Sequence, residues 1–154
     1  MKEAELVEKT IVLRNLRVTK EVTETRRSLV RWLALSLGII NPGESRSWSI
    51  PVFDALLYFQ FELAKDPTIA EISEYIGKRW SPINEKTLRY HLLQLKKASF
   101  VQNSKGKFFF TLPPNGEKYD IRSWMENYFN SEINPVKEKI IETAKSISNK
   151  TVIP

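Results

Sequence analysis

The chain has no cysteine, a single histidine and only five glycines among its 154 residues. Without cysteine there is no disulfide, thiolate metal ligand or cysteine nucleophile. A metal site would have to rely on carboxylates, and a Ser-His-Asp triad would need His91, which lies far from any nucleophile elbow. The glycines form neither a Gly-rich phosphate loop nor a dinucleotide fingerprint. We therefore expect a protein that is not an enzyme and that has no catalytic residues, metal or cofactor.

Long hydrophobic runs are also missing. No stretch of about 18 apolar residues could cross a bilayer, and Met1 to Thr10 lacks the apolar core of a signal peptide. The chain has 154 residues, of which 42% are hydrophobic and 27% charged. It is long enough to bury one sizeable core, or to form one small domain with helical extensions. These features predict a soluble, cytoplasmic protein without a membrane partner.

Positive charge is concentrated in one segment. Residues 78–112 carry a net charge of +7, whereas the whole chain carries +6, so the remainder is close to neutral. Glu85 is the single acid of this segment, and its eight bases are Lys78, Arg79, Lys86, Arg89, Lys96, Lys97, Lys105 and Lys107. A focused field of one sign is typical of a surface that binds a polyanion, and nucleic acid is the first candidate.

The N-terminal quarter has apolar residues at steps of four and seven positions, an eleven-residue repeat that keeps one stripe along a nearly straight helix. They are Val7, Ile11, Val18, Val22, Leu29, Leu33 and Ile40. The pattern predicts one long helix over about residues 2–37, with Gly38 as its C′ residue. The β-branched run Thr10 to Val12 is also compatible with a strand, and the helix could break near Thr19 to Thr25.

Two helices are predicted after the turn Asn41-Pro42-Gly43. The first, about residues 51–65, starts at Pro51 and is apolar on nearly all sides, which indicates a buried helix. The second, about residues 68–77, opens with a capping box of Thr68 and Glu71 and stops at Gly77.

A third helix, a hairpin and two more helices follow. The third helix spans about residues 84–97, with Asn84 as N-cap, although Ser81 with Pro82 is a competing start. Its buried face is formed by Leu88, Leu92 and Leu95. The hairpin pairs Phe100-Val101 with Lys107 to Leu112 around a turn at residues 103–106, and Pro113-Pro114 ends it. Helical segments are expected at about 117–130 and 135–149, the latter with one apolar side, before a tail from Thr151 to Pro154.

Residues 68–77 and 83–95 resemble the second and third helices of winged helix-turn-helix transcriptional regulators of the arsenic-repressor and multiple-antibiotic-repressor kind. The likeness rests on Thr87-Leu88, Arg89-Tyr90, His91-Leu92 and Leu95, and it covers residues 51–112, about 40% of the chain. Two departures stand out. Ala98-Ser99 replace the usual glycine after the third helix, so the turn geometry could differ, and the cysteines of metal-sensing members are absent.

The third helix and the hairpin supply the candidate DNA contacts. Arg89 and Lys86 can donate to guanine, and Asn84 or Gln94 can read adenine. Glu85 could accept a hydrogen bond from cytosine, or its negative charge could simply stabilise the N-terminal end of the helix through the helix dipole. The full candidate set is Asn84, Glu85, Lys86, Thr87, Arg89, Tyr90, Gln94 and Lys97 on the helix and Lys105 and Lys107 at the hairpin tip. A solvated turn is the alternative for the tip. His91 fits a packed or phosphate-contacting residue better than a metal ligand.

The expected fold class is mainly α with a small β-hairpin: a winged helix-turn-helix flanked by long N-terminal and C-terminal helices. We expect an N-terminal helical extension over 1–49, the DNA-binding domain over 50–113 and C-terminal helices over 114–154. The flanking helices either form a homodimer, which would read two half-sites, or fold back on their own domain. The predicted function is a sequence-specific, double-stranded DNA-binding transcriptional regulator at the nucleoid. The alternative is a winged-helix protein-interaction or RNA-binding module in a larger assembly.

Overall fold

The structure, a computed structural model, describes residues 2–44, 47–112 and 116–150. Within these residues the chain is mainly helical, with one two-stranded antiparallel hairpin. In chain order the elements are α1 (Lys20–Glu24), α2 (Arg26–Ser36), α3 (Ser49–Leu57), α4 (Ile69–Arg79), α5 (Glu85–Lys97), β1 (Val101–Ser104), β2 (Lys107–Phe110), α6 (Ile121–Tyr128) and α7 (Asn134–Ser148). The predicted hairpin end at Pro113-Pro114 and the predicted tail from Thr151 to Pro154 lie outside the described residues.

Helix α3 is the centre of the core, as its apolar sequence predicts. Every residue from Ile50 to Leu57 is buried, and α3 contacts α2, α4, α5 and β2. The helix starts at Ser49, slightly before the expected Pro51, and continues into a π-helical turn over Tyr58–Glu62. Burial of each large apolar side chain contributes roughly 1.5–3 kcal/mol, so α3 is the main source of hydrophobic stabilisation.

The prediction of one helix over residues 2–37 is wrong. A 3₁₀ turn, Glu3–Leu6, is followed by residues 7–18, which form neither helix nor strand and which we call the N-terminal arm. The chain then forms α1 and α2, each of which begins after a threonine cap. Thr19 accepts a hydrogen bond from the Val22 N–H, and Thr25 accepts one from the Ser28 N–H. These caps break the helix in the region that the alternative interpretation indicated.

The N-terminal arm is held against the end of α2 through Arg14. The Arg14 N–H donates to the Ser36 carbonyl at 2.9 Å, and its guanidinium donates to the carbonyls of Leu35 and Ile40 at 2.8 and 2.9 Å. The last carbonyls of a helix have no partner within the helix. Arg14 binds the carbonyls of Leu35 and Ser36 at this end, so the N-terminal arm crosses the α2 terminus where a straight helix was predicted.

Two helix ends show left-handed C′ residues. Gly38 ends α2 as expected, with φ of 72°, and a Cβ there would lie 2.5 Å from the Cβ of Val12 in the arm. Ser99 ends α5 with φ of 67°, so the left-handed turn is present although serine stands there. A non-glycine residue in this conformation costs roughly 1 kcal/mol. Gly77, by contrast, does not stop α4, which continues to Arg79.

The hairpin is fastened to the core. Val101 pairs with Phe110, and Lys105 and Gly106 form the two-residue turn with positive φ angles of 53° and 76°. Phe110 is fully buried, its N–H donates at 2.6 Å to the buried side chain of Gln60, and its ring contacts Phe53.

The two C-terminal helices are confirmed, but a π-helical turn, Phe129–Ile133, joins them without an intervening loop. Trp124 and Tyr128 of α6 are buried, whereas no residue of α7 is buried. None of the helices within the described ranges combines the length and the apolar content needed to cross a bilayer.

Candidate nucleic-acid interface

Helix α5 buries one face and exposes the other, as its sequence predicts. Leu88, Leu92 and Leu95 are only 0%, 2% and 4% exposed, because they pack against the core around α3. The opposite side projects into solvent. Its exposed side chains are Glu85, Lys86, Arg89, Tyr90, Leu93, Gln94, Lys96 and Lys97.

Asn84 acts as the N-cap of α5. Its side-chain oxygen accepts a hydrogen bond from the Lys86 N–H at 2.7 Å. Bidentate recognition of adenine requires this oxygen as well as the amide N–H groups, and the oxygen is already engaged. Asn84 is therefore primarily a helix cap, and its side-chain N–H groups remain available to donate hydrogen bonds to a ligand.

Arg89 is paired within the helix. Its Nη2 lies 3.3 Å from Oε1 of Glu85, one turn earlier, and both side chains are more than 60% exposed. An exposed i,i+4 pair is worth only about 0.3–0.5 kcal/mol, because water screens it. The ion pair is therefore too weak to fix the Arg89 side chain, and a stronger anionic partner can replace Glu85.

The candidate residues of α5 fall into two groups. Lys86 and Tyr90 share the outward face with Arg89 near the start of the helix. Gln94 and Lys97 line a cleft of about 300 Å³ next to the N-terminal arm. Thr87 is half-buried between the two faces. The start of α5 is thus the open part of the face, and its end is bordered by the arm.

The hairpin is tied to the end of α5. Lys105 and Lys107 at its tip are both exposed, and Lys96 of α5 donates to the Asn103 side chain at 2.7 Å. Strand β2 is also attached to the residues before α4, since the Phe108 N–H donates to the Pro67 carbonyl at 2.9 Å. These contacts position the tip relative to α5 through backbone as well as side-chain hydrogen bonds.

No protein-family model, curated protein or solved structure matches this chain. The functional conclusions below therefore rest on the geometry and the charge of its own residues.

His91 is a packed residue. Its Nδ1 lies 3.1 Å from the Ser49 hydroxyl at the start of α3, and its ring contacts Tyr90 edge to face at 5.2 Å. Burial lowers the pKa of His91, so the imidazole is neutral at pH 7. No group of three or more potential metal-ligating side chains occurs in the part of the chain that the structure describes.

Two exposed arginines at the turn that precedes α5 are absent from the candidate set. Arg79 belongs to the basic segment but is not among the predicted DNA contacts, and Arg27 lies some fifty residues away in a segment assigned to a flanking helix. In the structure the Arg27 guanidinium donates to the Arg79 carbonyl, and it lies over the ring of Trp80. The sequence carries a signal only for Arg79, which precedes the cap of α5 by a few positions. The contact of Arg27 with Arg79 and Trp80 depends on how α2 packs, which the sequence pattern does not indicate.

Proposed function

We propose that this protein is a non-catalytic, sequence-specific DNA-binding transcriptional regulator of the winged helix-turn-helix kind. Helices α3, α4 and α5 correspond to its three helices, and the hairpin β1–β2 corresponds to the wing. The observation that carries the proposal is the exposed face of α5, opposite a row of buried leucines. Lys86 and Arg89 lie at the open start of the helix, and Lys97 is exposed at the end that the arm borders.

The dimensions of α5 suit a major groove. Its 13 residues form a helix about 20 Å long, and a helix with its side chains fills a groove about 12 Å wide. The N-terminal end, with Asn84, Lys86 and Arg89, would enter the groove first. Because Leu88, Leu92 and Leu95 anchor α5 in the core, the exposed side chains would meet the bases from a rigid support.

Four of the exposed side chains of α5 have a chemical counterpart in the groove. Arg89 and Lys86 can donate to O6 and N7 of guanine, and Gln94 can address adenine. Leu93, 47% exposed on the same face, could contact a thymine methyl group. Lys105 and Lys107 at the hairpin tip would bind phosphates and hold α5 in register.

We further propose that the regulator is a homodimer. Val136, Ile140 and Ile147 form an apolar stripe on α7 and are 43%, 63% and 74% exposed. A groove of about 360 Å³ separates this stripe from Ile11 and Leu13 of the N-terminal arm. A second copy paired through α7 would cover the stripe and present two copies of α5 to two half-sites. Helix α2 packs on α3 and buries Val30 and Ala34, so part of its apolar stripe is already covered within the chain.

One observation is equally compatible with the alternative of a protein-interaction or RNA-binding module. Tyr90 is 57% exposed and Leu93 is 47% exposed on the outward face of α5. Exposed apolar side chains among cations are typical of interaction surfaces as well as of DNA readers. Fold alone does not separate these functions.

Selection of bound fragments from a genomic DNA library, with a mass measurement in solution, tests the proposal. A regulator should enrich a few related duplex sequences and have the mass of two chains. Enrichment of RNA competitors over duplex DNA would favour the alternative. Failure to retain duplex DNA even in dilute salt would contradict the proposal. DNA binding would also place the protein at the nucleoid in the cytoplasm.

A further inference from the structure

Two arginines at the turn between α4 and α5 are stacked on aromatic rings. The Arg27 guanidinium carbon lies 3.9 Å from the ring centroid of Trp80. The Arg79 guanidinium carbon lies 4.8 Å from the ring centroids of both Tyr58 and Tyr75. Cations within about 6 Å of an aromatic face are attracted by its quadrupole. We refer to Arg27 and Arg79 as the arginine pair.

Two of the three rings under the arginine pair, those of Tyr75 and Trp80, are anchored to one buried carboxylate. Asp54 of α3 is only 3% exposed, and its Oδ2 accepts hydrogen bonds of 2.9 Å from both the Tyr75 hydroxyl and the Trp80 indole N–H. Its Oδ1 accepts one of 2.7 Å from Arg26. Burial, together with the nearby Asp54, raises the pKa of Tyr75 to about 12, so its hydroxyl remains a donor. Rotation of either ring would break a buried hydrogen bond to a charged group.

The arginine pair keeps its charge unneutralised. Both side chains are exposed, and among the described residues neither forms an ion pair with a carboxylate. Neighbouring cations differ in this respect. Lys78 lies 2.8 Å from Glu74, and Arg26 binds Asp54 and Glu62. Glu71 and Glu74 line the same cleft as Arg79, but each already binds a lysine, so the arginine pair remains open to an external anion.

The arginine pair lies near the start of α5, because Arg79 ends α4 just before it and Arg27 contacts both Arg79 and Trp80. Arg79 precedes the N-cap Asn84 by five residues, so their Cα atoms are at most about 17 Å apart. The major groove is about 12 Å wide, and phosphates line its edges. A recess of about 230 Å³ next to Arg27 is also lined by Ser47, Trp48, Trp80 and Ser81. One guanidinium and two hydroxyl-bearing side chains are groups that bind phosphate.

We propose that the arginine pair binds backbone phosphates of duplex DNA at the edge of the groove that α5 enters. This inference rests on the proposed function and adds a contact to it. The pair should strengthen binding to all sequences alike, because phosphates carry no sequence information. Stacking on anchored rings fixes the guanidinium groups in advance, which reduces the entropy lost on binding.

The test compares two double variants that each remove two positive charges, Arg27→Gln with Arg79→Gln and, as control, Arg122→Gln with Lys145→Gln. Arg122 and Lys145 are exposed and lie on α6 and α7. Binding of a selected duplex and of a random duplex is measured by fluorescence anisotropy over a series of salt concentrations. The slope of log K against log salt should become shallower by about 1.8 for the arginine-pair variant, since each contacted phosphate contributes about 0.9. The control should change much less.

A slope equal to that of the control, or a loss confined to the selected duplex, would overturn the inference. If Arg89→Ala still reduces discrimination in that case, the proposed function stands and only the arginine pair fails. Absence of duplex binding by the unmodified protein would overturn both. Thermal unfolding of each variant should remain a single cooperative transition, and the midpoint of the arginine-pair variant should fall by only a few degrees, because it loses the Arg27 hydrogen bond and the ring contacts of two exposed side chains.

A charge-preserving variant, Arg27→Lys with Arg79→Lys, tests the role of the rings. The slope should remain close to that of the unmodified protein, while affinity for both duplexes should fall about three- to tenfold, because lysine lacks the planar, bidentate guanidinium. Unchanged affinity would overturn the stacked geometry as the basis of binding.

Discussion

Helices α5 and α7 have similar amphipathic sequences but different surroundings. Both carry apolar residues at helical spacing, yet α5 buries Leu88, Leu92 and Leu95, whereas α7 buries none of its residues. The charges differ as well. Residues 78–112 carry +7, while residues 113–154 have as many acids as bases. Periodicity thus shows that a helix has an apolar stripe, but the stripe alone does not tell whether the chain itself or another molecule covers it.

The largest expected effect is the difference in stability between variants of the buried stripe of α5 and variants of the exposed stripe of α7. Leu92→Ala should lower the free energy of unfolding by about 2–5 kcal/mol, because it opens a cavity in the core. Ile140→Asp should change the unfolding free energy of the dilute monomer by less than about 0.5 kcal/mol, since Ile140 is exposed. Denaturant titration measures both.

The same α7 variant tests the proposed homodimer. Ile140→Asp should shift the mass in solution from two chains to one, because a charge would be buried in the contact. A dimer that persists in this variant would exclude the α7 stripe from the interface.

Base readout by α5 is expected to give the next largest effect. Arg89→Ala should weaken binding to a selected duplex by about 1–3 kcal/mol and leave binding to random duplex much less affected. Arg122→Ala on α6 is the matched control, because Arg122 is also an exposed arginine with an i,i+4 acid. Equal losses on both duplexes would remove Arg89 from base readout. Anisotropy titrations in one buffer provide the comparison.

The hairpin tip should act on affinity without changing preference. Replacing Lys105 and Lys107 by Ala should make the salt dependence shallower by about one unit for each phosphate that the tip no longer neutralises. The replacement of Arg122 and Lys145, both exposed on the C-terminal helices, controls for net charge. An unchanged slope would leave a solvated turn as the correct interpretation of the tip.

Glu85 distinguishes the dipole interpretation from cytosine readout. If Glu85 only supports the start of α5 and pairs with Arg89, Glu85→Gln should strengthen duplex binding a few-fold, because it removes a negative charge from the interface. If Glu85 accepts from cytosine, the same change should weaken binding and relax the preference at one base pair. Binding to a set of single-base variants of the selected site decides between them.

The smallest expected effect is a pH dependence from His91. Its folded pKa lies below the ordinary value of 6.5 because of burial. The contribution of the neutral imidazole to the free energy of unfolding is therefore fully present above about pH 6.5. It is lost as the pH falls through the folded pKa. His91→Gln should flatten the fall of the unfolding free energy below about pH 6.5. An identical pH profile in the variant would mean that other groups cause the decline.

Local signals predicted much of the fold. The capping box at Thr68, the cap at Asn84 and the turn at Lys105-Gly106 all occur where the sequence indicates them. Each depends on a few neighbouring residues, so none of them requires packing against a distant part of the chain. Gly77 is the exception, since α4 passes through it to Arg79.

The N-terminal segment shows why periodicity can mislead. An eleven-residue repeat favours one straight helix, but Thr19 and Thr25 cap two short helices and Arg14 binds the end of α2. Side-chain hydrogen bonds to backbone groups thus compete with helix continuation. The resulting arm borders Gln94 and Lys97, a neighbourhood that sequence spacing does not contain.

The sequence by itself determined the buried helix α3, the polarity of α5 and the concentration of positive charge, because these depend on composition and on contacts a few residues apart. Only the tertiary structure brought Arg27 next to Trp80, tied Tyr75 and Trp80 to Asp54 and left α7 exposed. Those arrangements depend on how separate helices pack around one core, and packing joins residues whose distance along the chain carries no local signal.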